Sequence, residues 1–290
     1  MNGKESYGVQ IRENQILDLR ALSRALDRTL PSTLDTLIRL GTKGQRHAEE
    51  LVKKANDKNK AKAVVSLDNA RPFAPISNPP KIVCLGLNYR DHIAEQHAAM
   101  PDDIIIFMKP RTAVIGPEDV IVKPPSVGKL DYEAELAIVI GKRGKNISLE
   151  EARQHIFGYT CFNDVSARDI QFRDKQWTRG KSFDTFAPIG PCITTSDQAG
   201  DPNDLWIRAR VNGATRQNSS TRNMVFNVYE IVHRLSQVFT LEPCDLIATG
   251  TPAGVGFAMK PEPKFLDLGD LVEIEIENVG LLRNRVGQAG

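Results

Sequence analysis

The 290-residue sequence predicts a mixed α+β fold that is rich in β-structure, with a small N-terminal α+β domain ahead of a larger domain. Apolar residues recur at helical spacing from Leu19 to Asn56, whereas short apolar runs typical of strands recur from Lys81 onward. Between these regions, four prolines occur within the ten residues from Arg71 to Pro80, which is typical of an extended linker. We therefore predict one domain over residues 1–75 and a second over residues 80–290.

The N-terminal region is predicted to contain a hairpin and several helical turns. Residues from Tyr7 to Leu19 alternate around Glu13 and Asn14, which predicts two short antiparallel strands. Helical spacing then continues to Asn56. The basic segment from Asp57 to Lys62 is interpreted as a solvated turn rather than as a binding patch.

The larger domain is predicted to combine strands with three helical segments. The predicted strands run from Lys81 to Tyr89, from Ile104 to Lys109, from Leu130 to Gly141, from Asp245 into a glycine-rich loop that ends at Gly256, and from Gly269 to Glu277. The predicted helices run from Arg90 to Gln96, from Ser148 onward, and from Val225 to Leu241. Glycines in the loop allow backbone N–H groups to approach an anionic ligand closely.

The composition argues against several classes of function. The 38 basic and 36 acidic residues leave a formal net charge of +2, so no strong field favours nucleic acid or an anionic membrane. No apolar run is long enough to span a bilayer and no apolar signal segment stands at the start, so we expect a cytoplasmic protein. The four cysteines form no C-x-x-C pair and are predicted to be reduced and structural.

Carboxylates share one face of the predicted strand from Leu130 to Gly141. Because side chains alternate along a strand, Asp131, Glu133 and Glu135 point the same way, with successive carboxylates roughly 7 Å apart. Ionised, half-buried neighbours of this kind repel each other, and a hard divalent cation is a natural partner because the stretch offers no His or Cys ligand. Asp164 follows another apolar run and opens a predicted helix or turn, which is able to aim a third carboxylate at the strand.

An ordinary solvated strand edge is the alternative interpretation of such a face. The strand from Gly269 to Glu277 also carries its glutamates on one side, and we interpret it as half-solvated without a metal. The one-face pattern alone therefore predicts little, and the metal prediction depends on Asp164.

His92 and Glu95 are three residues apart on the predicted helix from Arg90 to Gln96. They share a helix face, so the carboxylate is able to orient the imidazole. The pair is either a surface ion pair or a general base on a mobile segment.

Six motifs in order give a resemblance to the fumarylacetoacetate hydrolase (FAH) family over roughly Pro80 to Val286. They read GLNYRDHIAE, FMKP, LDYEAELAIVIG, NDVSARDIQ, RGKSFDTFAPIGP and ATGTPAGVG. The resemblance implies a β-sandwich or roll catalytic domain, a homodimer, and a divalent metal held by three carboxylates. We expect Mg²⁺ or Mn²⁺ in the cell, with Ca²⁺ as a substitute in crystals.

The resemblance also implies roles for residues that match the motifs. The metal ligands would be Glu133, Glu135 and Asp164. The catalytic residues would be His92 and Glu95, on a lid that closes over substrate, together with Lys181. The substrate-binding residues would be Arg168, Gln171 and Thr251.

A metal with open positions is able to chelate a small 2-oxo acid and stabilise its enolate. Three reactions share that step: C–C hydrolysis of an acylpyruvate, decarboxylation of oxaloacetate, and tautomerisation. We expect hydrolysis first, because His92 would activate water and Lys181 would stabilise the oxyanion. A non-enzymatic scaffold that binds metal and 2-oxo acid is the alternative from another class, and the general base argues against it.

Overall fold

The computed structural model describes residues 5–288. The chain divides into two compact units, the first ending at Pro72 and the second beginning at Phe73, so the break falls inside the proline-rich segment. No helix within the described range is long and apolar enough to cross a membrane. The four cysteines are free, and three of them are buried.

The first unit combines a small antiparallel sheet with four helices. Its strands are β1 (Gly8–Arg12), β2 (Gln15–Asp18) and β3 (Val64–Ser66), in the order β1-β2-β3. Its helices are α1 (Leu19–Ala25), α2 (Leu34–Arg39), α3 (Thr42–Lys54) and α4 (Asp57–Ala63). The predicted hairpin is confirmed, and a core that includes Leu17, Leu22 and Leu51 holds the unit together.

Helix α4 replaces the solvated turn that the sequence predicted from Asp57 to Lys62. The side chain of Asn56 accepts a hydrogen bond from the Asn59 N–H at 2.9 Å, which caps the first turn. At the other end, Ala63 is buried in the core of the first unit. The sequence pattern missed this helix because Ala63 is its one buried residue, so it shows no apolar periodicity.

The second unit is built mainly from strands. Its early strands are β4 (Ile82–Gly86), β5 (Ile105–Lys109), β6 (Val114–Ile115), β7 (Val120–Val122), β8 (Leu130–Asp131), β9 (Ala134–Ile140), β10 (Ile156–Asn163) and β11 (Ser166–Ala167). Its later strands are β12 (Ala187–Thr195), β13 (Trp206–Val211), β14 (Ala214–Ser220), β15 (Leu246–Ala248), β16 (Leu271–Ile276) and β17 (Gly280–Gly287). The helices are α5 (Arg90–Glu95), α6 (Arg168–Asp174) and α7 (Val228–Val238).

Two large sheets enclose the main core of the second unit. The first has the strand order β5-β4-β15-β9-β10-β12-β6, and the second has the order β14-β13-β16-β17-β7. Apolar side chains from both sheets, such as Ile138 on β9 and Ile274 on β16, belong to one buried cluster. Every residue of β9 is buried, so this strand crosses the interior of the unit. The mixed α+β, β-rich fold is confirmed.

Three predicted elements differ in extent from the observed ones. The strand from Leu130 to Gly141 is interrupted at Tyr132 and Glu133, because β8 pairs with β11 whereas β9 pairs with β10 and β15. The helix predicted from Ser148 is only a 3₁₀ turn at Ala152–His155. Helix α7 begins one residue after its capping residue Asn227 and ends before the predicted Leu241.

The terminal glutamate strand behaves as predicted for a half-solvated strand. In β16, buried and half-buried residues alternate. Both Glu273 and Glu275 pair with Arg210 on β13, at 3.2 and 2.7 Å. These glutamates therefore have a cationic cross-strand partner, and among residues 5–288 they do not belong to a carboxylate cluster able to hold a metal.

Candidate active site

Glu133, Glu135 and Asp164 form a buried carboxylate cluster in which one oxygen from each lies within 4.8 Å of the others. Glu135 lies on β9, and Glu133 lies in the interruption just before it. Asp164 follows the end of β10, where Asn163 pairs with Ala134. The Asp164 N–H donates to the Glu133 carbonyl at 3.0 Å, so the backbone itself fixes the spacing of these two side chains.

Two buried cations compensate part of this charge. Lys181 Nζ donates to Glu133 Oε2 at 2.8 Å and to Asp164 Oδ2 at 2.7 Å. Arg168 Nη2 lies 2.7 Å from Glu133 Oε1. Burial raises the pKa of Glu133, but Lys181 and Arg168 outweigh burial and hold that pKa well below its usual range. Burial lowers the pKa of Lys181, and Asp164 and Glu133 more than reverse this effect.

Lys109 is a third buried cation, and it was given no role in the sequence analysis. Its Nζ lies 2.6 Å from Asp164 Oδ1 and donates to the carbonyls of Val165 and Phe186 at 3.1 and 2.8 Å. Its only sequence signal was its place in the FMKP motif. The lysine connects β5 to the turn that carries Asp164.

Asp131 holds Arg168 in place and also lay outside the predicted site. Arg168 Nε donates to Asp131 Oδ2 at 2.8 Å, and Arg168 Nη1 donates to Gln171 Oε1 at 3.0 Å. The guanidinium carbon lies 4.5 Å from the centre of the Phe257 ring. Burial lowers the pKa of Arg168, but Glu133 and Asp131 raise it above its usual range.

Glu135 forms no ion pair with a cation among residues 5–288, and Lys181 offsets its charge only in part. The four buried carboxylates Asp131, Glu133, Glu135 and Asp164 face the three buried cations Lys109, Arg168 and Lys181. Burial and the neighbouring carboxylates raise the pKa of Glu135 well above its usual range. Its Oε2 accepts the Gly250 N–H at 2.8 Å, whereas its Oε1 has no hydrogen-bond partner among residues 5–288.

The cluster fits a hard divalent cation. Three carboxylates supply oxygen donors of the kind that such ions prefer, and no His or Cys belongs to the cluster. The unpartnered Oε1 of Glu135 offers a lone pair, and a divalent ion would supply the positive charge that the local side chains lack.

His92 and Glu95 form a second, adjacent arrangement on α5. His92 Nδ1 lies 2.7 Å from Glu95 Oε1, and His92 is only 6% exposed, so the pair is not a solvated surface ion pair. The Gly254 N–H donates to both carboxylate oxygens of Glu95, at 3.0 and 3.2 Å. Glu95 is therefore held between the imidazole and the glycine-rich loop.

The glycine-rich loop after β15 supplies amides to the protein's own carboxylates. Besides the Gly250 and Gly254 bonds, the Gly256 N–H donates to Asp131 Oδ1 at 2.8 Å. Gly254 has a φ of +102°, and a Cβ there would lie 2.1 Å from the carbonyl oxygen of Arg216, so the position requires glycine. The expected approach of loop amides to anions is observed, and the acceptors are site residues.

Thr251 is anchored to the carboxylate strand by its hydroxyl group. Thr251 Oγ1 donates to the Ala134 carbonyl at 2.9 Å and accepts from Gln217 Nε2 at 2.7 Å. Gln217 also accepts the Ala134 N–H at 2.8 Å, and it is fully buried. No sequence pattern pointed to Gln217, which reaches the loop from β14 in the other sheet.

A small pocket of about 40 Å³ is lined by several of these groups. Of the predicted site residues, six line it: His92, Glu133, Arg168, Gln171, Lys181 and Thr251. Phe107, Trp177 and Phe257 form an aromatic part of its wall. Glu95, Glu135 and Asp164 lie behind the lining and contact residues that form it.

This fold occurs in known proteins. The family model described as fumarylacetoacetate (FAA) hydrolase C-terminal matches residues 81–287. The chain belongs to the fumarylacetoacetate hydrolase family. Its relatives include proteins named as tautomerases, isomerases and hydrolases, so the predicted family is confirmed, whereas the predicted C–C hydrolysis or decarboxylation stays a prediction.

Three relatives show the range of this family. Mitochondrial oxaloacetate tautomerase fahd2 of Xenopus laevis is 44% identical over 282 residues, covering 96% of this chain and 85% of the relative. A fumarylacetoacetate hydrolase from Exiguobacterium antarcticum has a TM-score of 0.83 and 37% identity, covering 100% of this chain and 97% of that one. A 2-hydroxyhepta-2,4-diene-1,7-dioate isomerase from Mycobacterium marinum has a TM-score of 0.69 and 45% identity, covering 78% and 81%.

Proposed function

We propose that this family member is a Mg²⁺- or Mn²⁺-dependent oxaloacetate tautomerase. The observation that carries the proposal is the pocket itself, where the carboxylate cluster, two cations and a histidine converge on one small space. The named activity of the Xenopus relative, which matches nearly the whole chain, supports oxaloacetate as the substrate. This preference reverses the order in which the sequence analysis placed hydrolysis and tautomerisation.

A bound divalent ion would polarise the keto group of a 2-oxo acid and so favour loss of a proton from C3. The chain's own residues supply the proton transfer. Glu95 accepts a hydrogen bond from His92 Nδ1–H, which leaves the lone pair on Nε2 directed at the pocket. His92 Nε2 takes the proton from C3, and the C2 oxygen receives a proton to complete the enol.

Cationic and polar groups on the pocket wall position the two carboxylates of such a substrate. Arg168 and Lys181 are fixed by buried carboxylates, so their charges stay in place without reorganisation. Gln171 is held by Arg168, and Thr251 is held by Gln217. These contacts support the proposed roles of all four residues in substrate binding.

Acylpyruvate hydrolysis is the second candidate. The full-length similarity to a fumarylacetoacetate hydrolase supports it, as does the presence of a histidine oriented by a carboxylate. In this reaction His92 would deprotonate water, and the C3–C4 bond would break to give pyruvate and a carboxylic acid.

The test follows Mg²⁺-loaded protein with enol-oxaloacetate by ultraviolet absorbance, and with oxaloacetate or acetylpyruvate by NMR. Enol loss faster than with Mg²⁺ alone, abolished by EDTA and by Glu133→Gln, is the expected result. Pyruvate from oxaloacetate would instead indicate a decarboxylase, and acetate plus pyruvate from acetylpyruvate would indicate a hydrolase. Saturable binding without turnover would favour the scaffold alternative and refute the proposal.

The homodimer and the cytoplasmic location stay predictions. Light scattering of the purified protein tests the first. Cell fractionation tests the second, for which the name of the Xenopus relative offers mitochondria as the alternative.

A further inference from the structure

Helix α5 presents a hydrogen-bonding partner to each nitrogen of the His92 ring. Glu95, three residues after His92, lies 2.7 Å from Nδ1, and Gln96, four residues after it, places its Nε2 only 2.6 Å from His92 Nε2. Both spacings bring side chains to one helix face. The general-base mechanism uses Glu95 but leaves Gln96 without a role.

The backbone of Gln96 is held by a hydrogen bond to His92. Its N–H donates to the His92 carbonyl at 3.3 Å, which places Gln96 at the end of α5. The side chain is partly buried and lines the pocket. Because Glu95 accepts the Nδ1 proton, His92 Nε2 carries the lone pair, and the Gln96 amide donates to it.

Hydrolysis needs that lone pair to deprotonate the attacking water. A hydrolytic water must donate to His92 Nε2 while it approaches the substrate carbonyl, and it would occupy the space that the Gln96 amide fills. A donor tethered one helical turn away competes with water at high effective concentration. The C3–H of a bound 2-oxo acid is better placed in this competition, because the rest of the bound substrate holds it against Nε2, whereas a free water must displace the amide unaided.

We infer that Gln96 selects the reaction: by occupying the Nε2 side of His92, it excludes the hydrolytic water and favours direct proton transfer at C3. This inference deepens the proposed function and rests on it. It concerns a residue for which the sequence analysis gave no role, and it assigns Gln96 to reaction specificity rather than to metal binding.

The test compares wild type with Gln96→Ala, which removes the amide and opens space for water. Rates of enol-oxaloacetate tautomerisation and of acetylpyruvate hydrolysis are measured on each Mg²⁺-loaded protein. Gln198→Ala is the matched control, since Gln198 is exposed and bonds only its neighbour Asp197. Hydrolysis in ¹⁸O-labelled water, with ¹⁸O recovered in acetate, verifies that any new product comes from attack of water.

The hydrolysis-to-tautomerisation ratio is expected to rise about tenfold or more in Gln96→Ala, because one ordinary hydrogen bond corresponds to roughly that factor in occupancy. The Mg²⁺-induced rise in melting temperature should stay as in wild type, which verifies folding and an intact metal site. A ratio within threefold of wild type, or parallel loss of both activities, would overturn the inference.

The proposed function and this inference fail in distinguishable ways. Wild-type protein without tautomerase activity refutes the proposed function, whatever the variant does. If wild type is active and Gln96→Ala leaves the ratio unchanged, only the role of Gln96 is refuted.

Discussion

Replacing Glu135 with glutamine separates metal binding from folding. The substitution keeps an oxygen to accept the Gly250 N–H, but it removes the charge that Lys181 offsets only in part. We therefore expect Glu135→Gln to fold while losing most of its affinity for Mg²⁺. Changes outside the ligand set of a metal site typically weaken binding by about 10–100-fold, so loss of a direct ligand should reach at least the upper value.

The expected magnitude follows from linkage between metal binding and folding. At Mg²⁺ about 100 times the wild-type Kd, binding adds about 2.7 kcal/mol, whereas a 100-fold weaker site adds only about 0.4 kcal/mol. For a domain of this size class, each kcal/mol moves the Tm by roughly 2–4 °C. Wild type should therefore gain roughly 5–10 °C with Mg²⁺, and Glu135→Gln should gain about 1–2 °C.

The metal-free proteins should differ in the opposite direction. Because folding raises the pKa of Glu135, metal-free wild type loses stability as pH rises from the usual glutamate range through the folded pKa. Glutamine does not ionise, so the variant avoids this loss of stability and should melt at a higher temperature than wild type in EDTA at neutral pH. The difference should vanish in acid, where Glu135 is protonated in both the folded and unfolded states.

Differential scanning fluorimetry across Mg²⁺ concentration and pH measures all of these shifts. Glu273→Gln is the matched control, since Glu273 lies on the one-face glutamate strand β16 but pairs with Arg210. If Glu135→Gln retains the wild-type Mg²⁺ response, or Glu273→Gln loses it, the assignment of the metal site is refuted.

Three further substitutions test the groups around the metal. His92→Ala should lower tautomerase kcat by about 10²–10⁴-fold while leaving the Mg²⁺ response of the Tm intact; an unchanged kcat would contradict a proton-transfer role. Arg168→Met should lower the free energy of unfolding in urea by about 3–5 kcal/mol because it leaves buried carboxylates without their cation, whereas the exposed control Arg179→Met should change it little. Gly254→Ala should reduce kcat through clash and a misplaced amide, whereas Gly213→Ala, also at positive φ but with nothing within 4 Å, should not.

The carboxylate cluster was accessible from the sequence because it follows local rules. Alternation along a strand put Glu133 and Glu135 on one side, and the apolar run before Asp164 placed a third carboxylate at a strand end. Alternation alone did not distinguish β16, whose glutamates also share one side, so the prediction depended on Asp164. The interruption between β8 and β9 was not accessible, because it depends on pairing with β11, more than thirty residues away, rather than on any break in the local pattern.

The cations of the site depended on tertiary contacts that no local pattern records. Lys109 and Lys181 approach Asp164 from other segments, and only their places in the family motifs distinguish them from solvated lysines. The sequence predicted that the loop glycines allow close approach of backbone N–H groups to an anion. It did not predict which carboxylates accept those N–H groups. The sequence predicted Gln96 only as the end of a helix. Its proposed role depends on the contact between its side chain and the His92 ring, which the structure shows.

In the loop after β15, the main-chain N–H groups of residues 250, 254 and 256 donate hydrogen bonds to three site carboxylates, those of Glu135, Glu95 and Asp131. An amide N–H is present whichever side chain is attached, apart from proline. A substitution at the half-buried Ala253 should therefore leave these three bonds intact, whereas insertion or deletion of one residue would displace the amides together. A library of single-residue indels in this loop should contain almost no active members, even though pocket-lining side chains outside it remain free to diversify toward other 2-oxo acids.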